Sequence, residues 1–273
     1  MNVNNGALEN RGFELGLKYK IFNTPTFKFD FHVNASKNTN EITSLNLPAG
    51  SEFIRVTTQN IHQVGGPASQ YYVVPYLGID HATGEQLFLD INNNVTTTPV
   101  DTDRRATGKN YLPIYQGGFG FDLDYKGFFL NSYFSFAQDF YKFDDELYDM
   151  FDPTGGQYYP VSNDLFDAWT PTNTTTNVPS IQSGVDQIDG AGMSDRFLVD
   201  SSYLRLKTVS FGYNFTDAFL KNTFIKGLKL YVQAENMLTW TKWRGLDPEG
   251  FDADGQGKYP NSKSVSFGLD LKF

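Results

Sequence analysis

The chain has three histidines and no cysteine, so a soft metal centre or a thiol nucleophile has few residues to draw on. His32, His62 and His81 lack His or Cys partners at metal-ligand spacing, and His32 reads as one polar residue among others along a strand. Asp252-Ala253-Asp254-Gly255 opens like a calcium loop. It lacks the further acidic position and the closing Glu that such a loop needs, so it reads as a polar turn. Asp144-Asp145-Glu146 reads as a solvated charge run, since no spacing brings those carboxylates onto a substrate. Gly117-Gly118-Phe119-Gly120 is not a phosphate loop: no Lys-Ser/Thr follows and no helix opens there. Its glycines read as room for a close approach or for strong curvature. The reading is therefore no enzyme and no cofactor. What remains for recognition is aromatic. Tyr158, Tyr159 and Trp169 stand in polar loops, where their rings could stack on a sugar.

The elements that must carry these residues are strands. Seven stretches alternate apolar and polar residues with the period of a half-buried strand. They lie at about 12–22, 26–36, 115–125, 128–139, 202–215, 228–240 and 264–273. In the last, Val265, Phe267, Leu269, Leu271 and Phe273 point one way, and Ser266, Gly268, Asp270 and Lys272 the other. The fifth has mixed parity: Leu204 and Leu206 are out of phase with Val209, Phe211 and Tyr213, which predicts a bulge or a projecting first half. Connections alternate between short (23–25, 126–127, about 216–227) and long (37–114, 140–201, 241–261). Thr172 to Asn177 is a low-complexity polar stretch within the second long connection.

Twenty-five Phe and sixteen Tyr stand against four Met, a composition that favours strands. No stretch approaches the roughly 20 apolar residues of a membrane helix, whereas a β-barrel needs only alternate apolar positions. A fold of all-β class is expected: the wall of an antiparallel transmembrane β-barrel, with about seven strands, short periplasmic turns and long extracellular loops. Trp240 and Trp243 then read as an interfacial aromatic belt. Seven strands leave two open edges, which hydrocarbon does not tolerate, so the chain should be one wall of a larger barrel. The net charge of −9 excludes a nucleic-acid partner. Residues 1–6 carry no signal-peptide features.

Several blocks resemble SusC/RagA-type TonB-dependent outer-membrane transporters of Bacteroidetes. Asn10-Arg11-Gly12-Phe13-Glu14-Leu15 is similar to that family's strand opening. Val64-Gly65-Gly66-Pro67, Tyr71-Tyr72 and Gly78-Ile79-Asp80 follow in family order, as do Gly117-Gly118-Phe119 and Tyr125-Lys126-Gly127-Phe128. Asp195-Arg196-Phe197-Leu198, Ser202-Tyr203-Leu204-Arg205-Leu206-Lys207, Gly212-Tyr213, Glu235 to Thr241 and Asp247-Pro248-Glu249 complete the likeness. The resemblance implies the C-terminal portion of a barrel of roughly 22 strands, without plug domain or signal peptide, in the cell outer membrane. It implies import of oligosaccharides or peptides with a SusD-like lipoprotein, a TonB complex reached through a missing N-terminal part, and contact with membrane lipid. Tyr158, Tyr159 and Trp169 are then expected to touch substrate or lid. Phe267, Leu269, Leu271 and Phe273 are expected to form the signal read by the outer-membrane insertion machinery. The alternatives are a surface-binding or passive-channel β-barrel protein, or a soluble carbohydrate-binding β-sandwich.

Overall fold

The computed structural model describes residues 5–153, 160–181, 191–215, 217–221, 223–250 and 259–273. In chain order the strands are β1 (Gly6–Asn23), β2 (Phe27–Leu45), β3 (Phe53–Arg55), β4 (Asn60–Gln63), β5 (Gln70–Val73), β6 (Tyr76–Ile79), β7 (Gln86–Leu89) and β8 (Val95–Thr96). They continue with β9 (Arg105–Ala106), β10 (Tyr115–Tyr125), β11 (Phe128–Gln138), β12 (Tyr141–Phe143), β13 (Leu198–Asp200), β14 (Tyr203–Asn214), β15 (Gly227–Thr241) and β16 (Ser264–Lys272). A short helix, α1 (Asp145–Met150), follows β12.

The seven long strands form one antiparallel sheet in the order β1-β2-β10-β11-β14-β15-β16. Its register turns the alternation of each strand into two continuous faces. One cross-strand row runs Phe22, Phe29, Leu123, Leu130, Phe211, Val232, Phe267. A neighbouring row, on the opposite face by the pleat, runs Lys20, Asp30, Asp122, Asn131, Ser210, Gln233, Ser266. Cross-strand aromatic pairs stiffen the apolar face: Phe119 stacks on Phe134 with ring centroids 4.9 Å apart.

Bulges keep the faces pure. Between β11 and β14 the register jumps from Tyr133↔Thr208 to Phe134↔Leu206, leaving Lys207 as the extra residue. That one insertion brings Leu204 and Leu206 onto the face of Val209 and Phe211, which accounts for the mixed parity of the sequence. A second bulge at Ile21 puts Phe22 opposite Phe29, so Phe22 takes the place in the apolar row that alternation assigns to Ile21. The β10–β11 turn has positive φ at both Lys126 (49°) and Gly127 (94°), the geometry of a two-residue hairpin that matches strand twist.

The expected wall of a transmembrane β-barrel is corrected by this topology. The sheet is open: β1 and β16 are its two ends and pair with no further strand. Barrel closure requires the end strands to meet at a consistent tilt and stagger, and no sheet among the described residues is closed. The described residues add open sheets of four strands (β3-β4-β5-β9), three (β6-β7-β8) and two (β12-β13), where the roughly 22-strand reading placed loops. No described helix is long and apolar enough to cross a membrane.

These small sheets are built from the long connections, which all leave the same end of the large sheet. The register shows it: Tyr115 lies opposite Lys37 and Gln138, and Tyr203 opposite Ala137 and Thr241. β2 runs on to Leu45, beyond the strand expected at 26–36, and hands over to this layer through Ile42, whose backbone exchanges hydrogen bonds with Gly65 and Gly66. The layer has its own core of Tyr71, Phe143, Phe151, Leu165 and Phe197.

Candidate functional site

The polar face of the large sheet is where solute-binding groups gather. Aromatic rings lie flat on it, and glycines on adjacent strands make the space. A Cβ on Gly120 would strike the His32 ring, and one on Gly268 would strike the Tyr231 ring directly across the ladder. His32 stacks on Tyr133, centroids 6.0 Å apart and planes 9° from parallel, and its Nδ1 lies 3.6 Å from Asp122. Beside this pair, toward the loop layer, opens a groove of about 600 Å³. Asn34, Gln116, Tyr133, Ser135 and Tyr203 line it, and Glu14 stands on β1 at its margin.

A buried ionic latch lies beyond the groove and is tied to its lining residue Ser135. Arg205, on the polar side of β14, pairs with Asp247 through both guanidinium NH2 groups, and both side chains are 4% exposed. Glu249 lies 3.3 Å from Arg205 and 2.7 Å from Lys207, and accepts a hydrogen bond from Ser135. The bulge at Lys207 is what lets both basic residues reach this one turn. Lys142 donates from Nζ to the carbonyls of Pro248 (2.8 Å) and Gly250 (2.9 Å). Asp247 also accepts the backbone N–H groups of Glu249 and Asn261. Burial works to raise the Asp247 carboxyl, but the Arg205 hydrogen bond, these N–H donors and the Arg205 charge outweigh it and hold the pKa below the ordinary value.

Burial lowers the Lys142 ammonium to about 8, against the opposing pull of Asp247. The folded chain therefore releases this proton near pH 8, whereas the unfolded chain keeps it to about 10.4. Across that window the unfolded state binds more protons, so the Lys142 contribution to stability rises with pH. The midpoint difference between wild type and Lys142→Met should shift in favour of wild type from pH 8 to 10. A difference independent of pH would refute this placement of the proton.

The residues singled out from sequence fall in several places. His62 and His81 do not join His32: His62 Nδ1 accepts from the Ser69 N–H at 3.0 Å, and His81 Nδ1 lies 2.7 Å from the Thr174 carbonyl. Among the described residues, no group of three or more His, Cys, Asp or Glu could hold a metal ion. Asp144 is corrected: it is 2% exposed, not solvated, and caps α1 by accepting the Leu147 N–H at 3.0 Å. Burial, the largest influence, raises its pKa. Trp169 directs its indole N–H to the His81 carbonyl at 2.9 Å and packs on Gly84. Trp240 is exposed at the end of β15 opposite Leu204. The Trp243 ring lies 5.3 Å from Lys142 Nζ. Phe267, Leu269, Leu271 and Phe273 are all exposed, and Phe273 stacks on Phe224 at 5.7 Å. Tyr158, Tyr159 and Asp252 to Gly255 lie outside the described residues.

Sequence reasoning missed the latch and the Arg196 stack. The Arg196 guanidinium sits about 5 Å from the rings of Phe151 and Phe197 and 5.5 Å from Tyr76, and binds Gln86 at 2.7 Å. The signal available was a basic residue beside or between aromatics, as in Asp195-Arg196-Phe197 and Tyr141-Lys142-Phe143.

The site is thus carried by an open antiparallel sheet with one apolar and one polar face and a small second layer at one end. No family model matches the chain. It is 29% identical to the TonB-dependent receptor P3 of Formosa agariphila over 306 residues, covering 99% of this chain and 29% of that protein. To the TonB-dependent receptor SusC of Bacteroides thetaiotaomicron it is 28% identical over 291 residues, covering 100% of this chain and 27% of that protein. A structure of the RagAB peptide transporter superposes with a TM-score of 0.86 at 28% identity, over 99% of this chain and 30% of that one. The chain thus spans about three tenths of the relatives it matches. The chain is similar over nearly its whole length to TonB-dependent receptors and to a peptide transporter, at 28–29% identity.

Proposed function

We propose that the chain is the C-terminal part of an outer-membrane TonB-dependent importer of oligosaccharides or peptides. The observation that carries this reading is the two-faced sheet. Phe267 is 87% exposed and Leu17 50% exposed, in rows of apolar residues that run from strand to strand. Apolar surface of that extent marks contact with a membrane or another protein. The opposite face offers hydroxyls, amides and ion pairs to a solute. In this reading the connections 37–114, 140–201 and 241–261 form the extracellular side and meet a SusD-like lipoprotein, while the TonB complex is engaged elsewhere in the polypeptide. Tyr158, Tyr159 and Trp169 contact substrate or lid, Trp240 and Trp243 sit at the lipid interface, and Phe267, Leu269, Leu271 and Phe273 are read during membrane insertion.

The test is disruption of the gene in its native host. Growth on one class of oligomer should be lost while growth on the monomers persists, and the protein should fractionate with the outer membrane. Unchanged growth on all oligomers, or recovery of the protein in the aqueous phase without detergent, would overturn the proposal. A second reading, a surface-binding protein, is favoured by the open sheet and the ordered layer at its end. It predicts binding of an oligomer by intact cells with no uptake.

A further inference from the structure

We infer that a cavity at the loop end of the seam between β2 and β10 is a binding site for the headgroup of a phosphoethanolamine lipid. The inference rests on the importer reading only for the membrane that supplies the lipid. The site itself stands on three charged side chains and the seam that holds them.

β2 and β10 pair from Phe27↔Tyr125 to Lys37↔Tyr115, and the Asn38 N–H donates to the Ile114 carbonyl. Beyond that point β2 runs on without β10, and a cavity of about 220 Å³ opens beside it. Thr39, Lys109, Ile114, Asp139 and Tyr141 are among its lining residues. The seam is interior to the sheet, with β1 on one side and β11 on the other. The cavity therefore does not depend on what meets the two end strands. Lys142, next along β12, points to the latch on the polar side, so Tyr141 points away from it.

Two charges of opposite sign stand in this cavity. Lys109 Nζ lies 4.4 Å from the centroid of the Tyr141 ring, and Asp139 follows the end of β11 with φ at 60°. Both are exposed. Neither side chain has an ion-pair or hydrogen-bond partner among the described residues. One step down the seam, Lys37 Nζ lies 5.4 Å from the Tyr115 ring, on the face that carries Phe119 and Phe121. It too has no carboxylate partner among the described residues. A lysine held over a ring rests its stem on apolar surface and turns its ammonium to water or to an anion.

A headgroup with both signs fits these groups. The ethanolamine ammonium donates to Asp139, and the phosphate accepts from Lys109 and Lys37. A headgroup that is only anionic would leave Asp139 facing a like charge, and choline has no N–H to donate. Below the headgroup the apolar face carries Ala35 and Gly117 between Leu15 and Phe136. The surface dips there, and an acyl chain can lie along the seam.

The test uses the full-length protein purified in detergent. Binding of phosphatidylethanolamine, phosphatidylglycerol and phosphatidylcholine with identical acyl chains is followed by native mass spectrometry. Phosphatidylethanolamine should bind about tenfold more tightly than either of the others, the effect of one hydrogen bond to a charged group. Asp139→Asn should erase its advantage over phosphatidylglycerol. Lys37→Gln and Lys109→Gln should weaken both lipids by a similar factor at an unchanged thermal midpoint, because each ammonium holds only a ring. Lys263→Gln removes the same charge from an exposed loop-end position outside the cavity and should bind as wild type. Free O-phosphoethanolamine should compete only at far higher concentration, since it brings no acyl chain. Equal affinity for the three lipids, an ethanolamine preference that survives Asp139→Asn, or competition by the free headgroup as strong as by the lipid would overturn the site. Any of these results with protein that fractionates with the outer membrane leaves the importer reading standing. Recovery in the aqueous phase without detergent would overturn that reading and, with it, the membrane source of the lipid.

Discussion

Arg205→Ala is expected to destabilise the protein by about 3–5 kcal/mol, the range for removing one partner of a buried ion pair. The cause is specific. Asp247 would remain buried, with Glu249 partly buried beside it and Lys207 and Lys142 as the nearby cations. Limited proteolysis of the full-length protein should then cut within 241–250 at a protease concentration that leaves this stretch intact in wild type. Arg205→Met/Asp247→Leu, which removes both charges, should recover part of the loss. Full recovery is not expected, since Asp247 also accepts two backbone N–H groups. If the double variant is as unstable as the single one, packing of the arginine stem, not charge, holds the latch.

The pH dependence of the same pair has a definite sign. The folded-state pKa of Asp247 lies below its ordinary value, so its contribution is fully present above about pH 4, the unfolded value. It is lost as pH falls through the depressed folded value. The latch should therefore stay closed through the neutral range and open only in acid, and protection of 241–250 from proteolysis reports it. Opening between pH 5 and 7 would contradict the assignment.

Phe197→Ala is expected to cost about 3–5 kcal/mol, as truncation of a buried aromatic does. Phe197 is 3% exposed and its ring meets Phe143, Tyr148 and Phe151 edge-on at 5.6–6.3 Å. It also forms part of the cage around Arg196, so the cavity would leave that cation with fewer contacts. The damage should stay in the loop layer, because the large sheet is held by its own ladders. Hydrogen exchange should speed up in β5, β12 and α1 and remain slow in β10 and β11. Uniform acceleration across the sheet would show that the two layers unfold as one unit.

The boundaries of β10, β11 and β16 and the Lys126-Gly127 turn were legible because they depend on neighbours in sequence. Period two needs only the order of side chains, and a tight hairpin only two residues that tolerate positive φ. The bulge at Lys207 was half legible: the parity break between Leu206 and Val209 demanded one, but not its position. The short strands of the loop layer were not legible, since segments such as Arg105–Ala106 are too brief to show a period. Asp144 was misread for a related reason. A carboxylate in a run of charges looks solvated until the fold buries it as a helix cap.

By itself, the sequence determined the two faces of the sheet, the ends of β10, β11 and β16 and the alternation of short and long connections. These follow from local order, in which each apolar residue finds its face without knowing its partner. Only the tertiary structure decided that the long connections fold into a second layer and that Arg205 meets Asp247. Those outcomes join residues far apart along the chain, 42 positions in the case of Arg205 and Asp247. A contact of that separation is set by how whole strands align, which no local pattern encodes.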